Sequence, residues 1–107
     1  LWNAPLRSGD GGDRFREAFE SRILPALKNF NPDILFISAG FDAHRDDPLA
    51  SIELVEADYL WVTDKLLDVA DKHCEGRVVS MLEGGYDLTA LARSCGVHVK
   101  TMMNAAE

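Results

Sequence analysis

The spacing of apolar residues predicts a helix close to the start of the chain. Residues 1–12 show no periodicity and are predicted to form a loop rich in turn residues. From Asp13 onward, apolar side chains recur at steps of three and four residues, as on one face of a helix. Asp13 is a suitable N-cap, and the turn sequence at residues 31–33 ends the pattern. Because Pro25 lies inside this stretch, we expect the helix to kink or to split in two.

Two short apolar runs, at residues 34–37 and 78–82, predict strands. Their apolar residues are nearly continuous rather than alternating, which is typical of strands buried on both faces of a parallel sheet. Helical periodicity predicts a helix at residues 56–73, and Asp87 is placed to cap another at residues 88–105. The order helix, strand, helix, strand, helix indicates an α/β domain with a parallel sheet. Two strands are too few for such a sheet, so the pattern implies neighbours that this chain does not contain.

Composition and charge narrow the class of protein. The chain has 107 residues, of which 47% are hydrophobic and 27% charged, as in an ordinary globular domain. Its net charge of −7 argues against a duplex nucleic-acid partner, which requires clustered lysine and arginine. No apolar run approaches the roughly 18 residues that a membrane span needs. Cys74 and Cys95 lack the spacing of a zinc finger and are expected to be reduced thiols.

Two polar loops follow the predicted strands and carry the candidate chemistry. The first loop comprises residues 40–48 and the second loop residues 83–87. In open parallel sheets, ligands bind in the crevice beyond the carboxyl ends of the strands. We therefore expect the two loops to lie on the same edge of the sheet and to form one shared site. The side chains expected within reach of it are Asp42, His44, Asp46, Asp47 and Tyr86.

The spacing in the first loop leaves several interpretations open. Asp42 could bind a metal, act as a base, or accept hydrogen bonds at a cap or turn. His44 could be a zinc ligand beside it, although a histidine in a polar loop is more often a surface residue or a support for a ligand. Asp46 and Asp47, which precede Pro48, are typical of a turn in which a carboxylate accepts backbone N–H groups.

The second loop allows three interpretations of Gly84, Gly85 and Tyr86. The glycines could let backbone N–H groups at a helix N-terminus approach an anion, although the sequence lacks the longer glycine pattern of nucleotide-binding loops. Alternatively, they could bring the Tyr86 hydroxyl to a reacting centre, where it would donate a hydrogen bond to a developing oxyanion. The third interpretation is a tight strand-to-helix turn with a packed tyrosine.

Three stretches together resemble the histone deacetylase and acetylpolyamine amidohydrolase superfamily, especially its class II-like bacterial members. They are residues 3–6 (NAPL), residues 38–49 (SAGFDAHRDDPL) and residues 82–88 (LEGGYDL). Because residues 59–66 (YLWVTDKL) also fit, the likeness covers nearly the whole chain. It implies an α/β, parallel-sheet, three-layer fold of the arginase and deacetylase type. Residues 1–107 would form an incomplete, C-terminal portion of that domain.

The resemblance also implies roles for individual residues. Asp42 matches the aspartate with which the family binds zinc, and Tyr86 matches the tyrosine that polarises the acyl carbonyl and stabilises the oxyanion. Gly84 and Gly85 match residues beside the acyl-lysine channel, and Leu49 matches a residue near the pocket rim. The implied activity is hydrolysis of acetyl-lysine or acetylpolyamine amides by zinc-activated water. Asp46, which stands where glycine is frequent, departs from the pattern.

Parts of the family's active site have no match in this chain. Its paired histidines and its Asp-x-His zinc-binding pair are missing, since His44, His73 and His98 stand in other contexts. We therefore expect the chain alone to bind zinc poorly and to be inactive. The enzyme would be a longer protein with roughly 200 further N-terminal residues.

The expected partner is an acetylated amine substrate, with no direct nucleic-acid or membrane partner and a cytoplasmic location. The sequence leaves the oligomeric state open. Two alternatives stand beside the deacetylase hypothesis. One is a non-catalytic α/β fragment for binding or dimerisation, and the other is a phosphate- or nucleotide-binding module that uses the turn at Gly84 and Gly85.

Overall fold

A computed structural model describes residues 1–106, in which helices alternate with two strands. In chain order the elements are α1 (Gly12–Ala18), α2 (Leu24–Phe30), β1 (Leu35–Ala39), α3 (Glu56–His73), β2 (Val78–Leu82) and α4 (Leu88–Ala105). A π-helical turn, Phe19–Ile23, joins α1 to α2. The predicted order of elements is confirmed.

The predicted first helix is split in two ahead of Pro25, as expected. Pro25 lies in the first turn of α2, where its missing N–H costs no hydrogen bond, and the π-helical turn comes directly before it. The predicted N-cap is wrong, because α1 begins at Gly12 with Gly11 as its cap. A β-carbon at position 12 would overlap the Asp58 carboxylate, so close packing on α3 sets this end of the helix.

The two strands pair in parallel, as the sequence predicts. Leu35 lies opposite Val78 and Ala39 opposite Leu82, with α3 forming the connection between the strands. This register brings the carboxyl ends of both strands to the same edge, which is the edge from which the first and second loops leave.

Only one face of the sheet is covered by the rest of the chain. Leu35 and Ala39 are buried on that face, where they pack against side chains of α2, α3 and α4. On the opposite face, Phe36, Val79 and Met81 are 59%, 42% and 47% exposed. The expectation that the strands are buried on both faces is therefore met on one face alone within the described residues.

A buried chain of hydrogen bonds joins α3, α4 and β2. The Thr63 hydroxyl lies 2.9 Å from Nδ1 of His98, and the Ser80 hydroxyl lies 2.8 Å from Nε2 of the same ring. Because Thr63 donates its own proton to the Tyr59 carbonyl oxygen, its hydroxyl oxygen accepts from Nδ1–H. Burial lowers the pKa of the ring and favours the neutral imidazole, in which Nε2 accepts the Ser80 hydroxyl proton, and the ring joins the two helices to the sheet.

Two expectations from composition can be compared with the structure. Both cysteines are free, with Cys74 buried in the core between Ala70 and Leu35, so the reduced thiols are confirmed. Within residues 1–106, no helix has the length and apolar content that crossing a bilayer requires.

Candidate active site

The first and second loops are tied together by backbone hydrogen bonds just beyond the strands. Glu83 N–H donates to the Ala39 carbonyl oxygen at 3.0 Å, and Phe41 N–H donates to the Gly84 carbonyl oxygen at 2.8 Å. These bonds continue the pairing of β1 and β2 into the loops. The expectation that both loops lie at one edge of the sheet is confirmed.

Asp42 lies against two glycines in this junction. A β-carbon at Gly84 would lie 2.8 Å from Cγ of Asp42, and one at Gly40 would lie 3.0 Å from its Oδ1 atom. The Asp42 carboxylate is half-buried and forms no hydrogen bond or ion pair with another residue of the described range 1–106. It is thus an oxygen donor for which the two glycines leave room.

Asp42 alone does not make a metal site. Nowhere in the described part of the chain do three His, Cys, Asp or Glu side chains come together in a group that could hold an ion. Its carboxylate fits a divalent zinc ion as one ligand, since carboxylate oxygens are among the ligands that zinc uses. The other ligands of such an ion would have to come from residues outside the described range 1–106.

Asp47 links the two loops through its buried carboxylate. One oxygen accepts the Leu49 N–H at 3.0 Å, and the other accepts the N–H groups of Tyr86 at 2.7 Å and Asp87 at 3.2 Å. Although burial raises the pKa of the Asp47 carboxyl, these three hydrogen bonds outweigh burial and hold the pKa below its ordinary value. The predicted turn role is confirmed, and the carboxylate also reaches a loop 39 residues away.

Tyr86 and Leu49 both direct their side chains outward. Tyr86 is 57% exposed and Leu49 is 65% exposed, so the interpretation of Tyr86 as a packed turn residue is wrong. Their backbones meet at the same Asp47 carboxylate. The assignment of these two side chains to catalysis and to the pocket rim stays a prediction.

Gly85 has a structural reason to be glycine. Its φ of +142° is one that other residues rarely adopt, and a β-carbon there would lie 2.9 Å from Cδ1 of Leu91 and 3.3 Å from Cβ of Phe41. The second loop therefore packs directly against Leu91 and Phe41 at the residue before Tyr86. Contact of Gly84 and Gly85 with substrate stays a prediction that the resemblance supplies.

His44 does not join Asp42 as a ligand. Its ring is buried, with Nε2 lying 2.8 Å from Oε1 of Glu56 and Nδ1 accepting the Asp46 N–H at 3.1 Å. Both ring nitrogens are therefore engaged by the first loop and α3. The inclusion of His44 and Asp46 in the shared site is wrong, because the His44 ring is turned into the protein and the Asp46 carboxylate lies against His44 and Arg45 rather than Asp42.

The geometry also argues against an anion at the second loop. The N–H groups of Tyr86 and Asp87, which come just before α4, are already bonded to the Asp47 carboxylate and are not available to an anion. Asp87 in turn accepts the Ala90 N–H at 2.8 Å as the helix cap. These carboxylates, with Asp42 against Gly84, would repel a phosphate.

Sequence reasoning did not show that the Tyr59 hydroxyl is enclosed near Asp42. Tyr59 is buried, with its ring centroid 5.1 Å from that of Phe41, and its hydroxyl lies close to the Ala43 backbone and to the Asp42 carboxylate. Burial and the nearby charge of Asp42 raise its pKa far above the ordinary value. The local sequence does not reveal the environment of this hydroxyl, because Tyr59 fits the apolar periodicity of α3 like any other core residue.

Comparisons with known proteins agree with the motifs. The histone deacetylase domain matches residues 1–102. Type-2 histone deacetylase 1 of Dictyostelium discoideum is 42% identical over 100 residues, which cover 94% of this chain and 7% of that protein. The histone deacetylase-like amidohydrolase of Pseudomonas aeruginosa is 38% identical over 97 residues, which cover 91% of this chain and 25% of that protein.

Solved structures show the same fold. The crystal structure of the HDA15 HD domain superposes with a TM-score of 0.84 and 36% identity, covering 92% of this chain and 27% of that one. The chain spans 6%, 7% and 32% of the length of three similar curated proteins, so it corresponds to a part of each. The resemblance and the deacetylase-like α/β fold are confirmed, and the chain belongs to the histone deacetylase domain family.

Proposed function

We propose that a protein containing this chain hydrolyses the amide bond of acetylated amines, of the acetyl-lysine or acetylpolyamine type, with zinc as its metal. The observation that carries the proposal is the junction of the two loops, where the free Asp42 carboxylate lies against Gly84, two residues before Tyr86. Membership of a deacetylase family supports the reaction class. The chain would form the C-terminal portion of the catalytic domain and be inactive alone.

Asp42 is proposed to supply one zinc ligand. When bound, zinc lowers the pKa of a coordinated water and polarises the acyl carbonyl. Gly40 and Gly84 leave room for the carboxylate at this position. The remaining ligands and the groups that act on the water would come from the rest of the domain.

Tyr86 is proposed to be the catalytic residue of this chain. Its hydroxyl would donate a hydrogen bond to the acyl oxygen as negative charge develops there, which stabilises the transition state more than the ground state. Its exposure suits a side chain that meets a substrate. Gly84 and Gly85 would border the acyl-lysine channel, and Leu49 would lie near its rim.

The partner proposed for the site is an acetylated amine. Neither nucleic acid nor membrane is proposed as a direct partner, since the chain is acidic. A cytoplasmic location stays a prediction.

The test is a pair of tyrosine variants in the zinc-loaded enzyme that contains this chain. Tyr86→Phe should keep the zinc content and lower kcat on an unactivated acetyl-lysine amide by about 100-fold or more, given the effect of one oxyanion donor. Tyr59→Phe is the comparison variant, because it removes the same hydroxyl from the buried tyrosine and should lower kcat much less than Tyr86→Phe does. Wild-type turnover in Tyr86→Phe would show that the assigned role is wrong.

The metal role needs its own variant. Asp42→Asn should lower the zinc content and abolish zinc-dependent turnover, since the amide is a weaker ligand than the carboxylate. Metal analysis after dialysis, together with the acetyl-lysine assay, measures both effects. An Asp42→Asn protein that keeps full zinc and full activity would exclude Asp42 as a ligand.

A further inference from the structure

We propose that Asp47 is a positioning residue for the acyl site, because its carboxylate fixes the backbone of Tyr86 and of Leu49 at the same point. The proposal rests on the proposed function, in which Tyr86 acts on the acyl oxygen and Leu49 borders the pocket. Asp47 itself touches neither substrate nor metal in this scheme; it affects kcat through the position of Tyr86, whereas Leu49, near the pocket rim, would affect substrate binding.

Asp47 supplies the hydrogen bond that fixes the Tyr86 backbone, because the close packing of the loop on the core ends one residue earlier, at Gly85. The Tyr86 side chain is more than half exposed, so packing contributes little to its position. Within residues 1–106, the Tyr86 N–H has the Asp47 carboxylate as its partner, at 2.7 Å. Without that bond, the tyrosine would move with its loop.

The anchor is itself rigidly placed. Asp47 N–H donates to the His44 carbonyl oxygen at 3.0 Å, and the buried His44 ring is bonded to Glu56 at the start of α3. The His44 backbone also bridges to Leu54. A continuous path of hydrogen bonds therefore runs from α3 through His44 and Asp47 to Tyr86.

An ionised carboxylate suits this position better than an amide. Three N–H donors converge on the two oxygens of Asp47, with two of the donors on the same oxygen. An asparagine has one oxygen, and its NH₂ group would have to face an N–H donor on the other side. Asp47→Asn therefore disturbs one of the two loops while changing hardly any volume.

The experiment uses the zinc-loaded enzyme and a double-mutant cycle. Asp47→Asn should keep the zinc content and lower kcat by about 10- to 100-fold, as expected when a reacting group is misplaced by an ångström or less. In the Tyr86→Phe background, the same substitution should cost less than about threefold, since the hydroxyl it positions is already absent. Asp46→Asn is the matched control, because it makes the same change at the adjacent exposed aspartate and should leave kcat unchanged.

The possible outcomes distinguish a failure of the positioning role of Asp47 from a failure of the catalytic role proposed for Tyr86. If Tyr86→Phe is fully active, the proposed function fails at Tyr86 and Asp47 has nothing to position. If Tyr86→Phe is impaired but Asp47→Asn keeps wild-type kcat, the positioning role alone is overturned. An equal loss from Asp47→Asn in both backgrounds also overturns it, since the residue would then act independently of the hydroxyl.

A second variant covers the case in which Asp47→Asn does not fold. Asp47→Glu keeps the charge and moves the carboxylate by one methylene group. We expect a smaller loss of kcat that again disappears in the Tyr86→Phe background. A loss of the same size in both backgrounds, or no loss in either, would overturn the proposal.

Discussion

Three glycines of this chain have neighbours that leave no room for a side chain. Gly12 faces Asp58, Gly84 faces Asp42, and Gly85 faces Leu91. Gly96, in the middle of α4, faces open space among the described residues. The first three are glycine because another group lies where a β-carbon would be, whereas at Gly96 no contact in the described chain requires one.

Replacing glycine by alanine is therefore predicted to have opposite effects at Gly84 and at Gly96. Gly84→Ala places a methyl group 2.8 Å from Cγ of Asp42, so the carboxylate must shift. In the zinc-loaded enzyme, we expect zinc affinity to fall by about 10- to 100-fold, as when the support of a ligand is lost. Gly96→Ala should leave zinc affinity unchanged and raise the free energy of unfolding by roughly 0.5–1 kcal/mol.

Competition with a zinc chelator and denaturant unfolding measure the two quantities. Unchanged zinc affinity in Gly84→Ala would mean that Asp42 can move without cost, or that it is not a ligand.

At the scale of elements, polar contacts as well as apolar packing hold the layers in register. His98 of α4 bonds to Thr63 of α3 and to Ser80 of β2, and burial lowers the pKa of its ring. Burial favours the neutral ring, in which Nε2 accepts the Ser80 proton. Protonation would remove that acceptor and place a charge in the core.

This arrangement predicts a pH dependence of stability. The folded-state pKa of His98 lies below its unfolded value of about 6.5, so the unfolded state binds the proton more strongly. The contribution of His98 to stability is therefore complete above pH 6.5 and is lost as the pH falls below it.

The measurement is the free energy of unfolding between pH 7.5 and 5 for the wild type and for His98→Gln. The glutamine has no titrating group, so its stability should fall less over this range. Parallel curves for the two proteins would show that His98 contributes nothing to the pH dependence.

Within the described chain, one face of the β-sheet is covered by helices and the other is exposed to solvent. Helices cover the side of the sheet that carries Leu35 and Ala39, while Phe36, Val79 and Met81 stay in contact with solvent on the other side. Burying apolar surface is the main favourable term in folding, so a sheet with one bare face gains less stability than a complete one. The candidate site is also incomplete, since residues 1–106 supply the Asp42 carboxylate but no group of three metal ligands.

We therefore expect residues 1–107 by themselves to be inactive. A catalytic zinc site needs three protein ligands, so calorimetric titration of zinc into this chain should show weak binding that Asp42→Asn hardly changes. The chain should not hydrolyse acetyl-lysine amides, whereas the zinc-loaded enzyme that contains it should. Stoichiometric, tight zinc binding that disappears in Asp42→Asn would contradict this expectation.

Local patterns in the sequence predicted the order of the helices and strands and the family resemblance. The structure has α3 at Glu56–His73 and β2 at Val78–Leu82, as the local apolar pattern predicts, and Asp87 caps α4 through a bond three residues away. These features depend on neighbours along the chain, so they can be read from short stretches. The motifs around Asp42 and Tyr86 carried the family resemblance in the same way.

The contacts that join those elements could be seen only in the folded chain. In the fold, the His44 ring is buried against Glu56, and α1 begins at Gly12, where it packs on Asp58. The Asp47 carboxylate binds the backbone of Tyr86, which is 39 residues away. Each of these outcomes depends on contacts between segments that are distant in sequence. Local spacing contains no information about such contacts, because they form only when the strands pair and bring both loops to one edge.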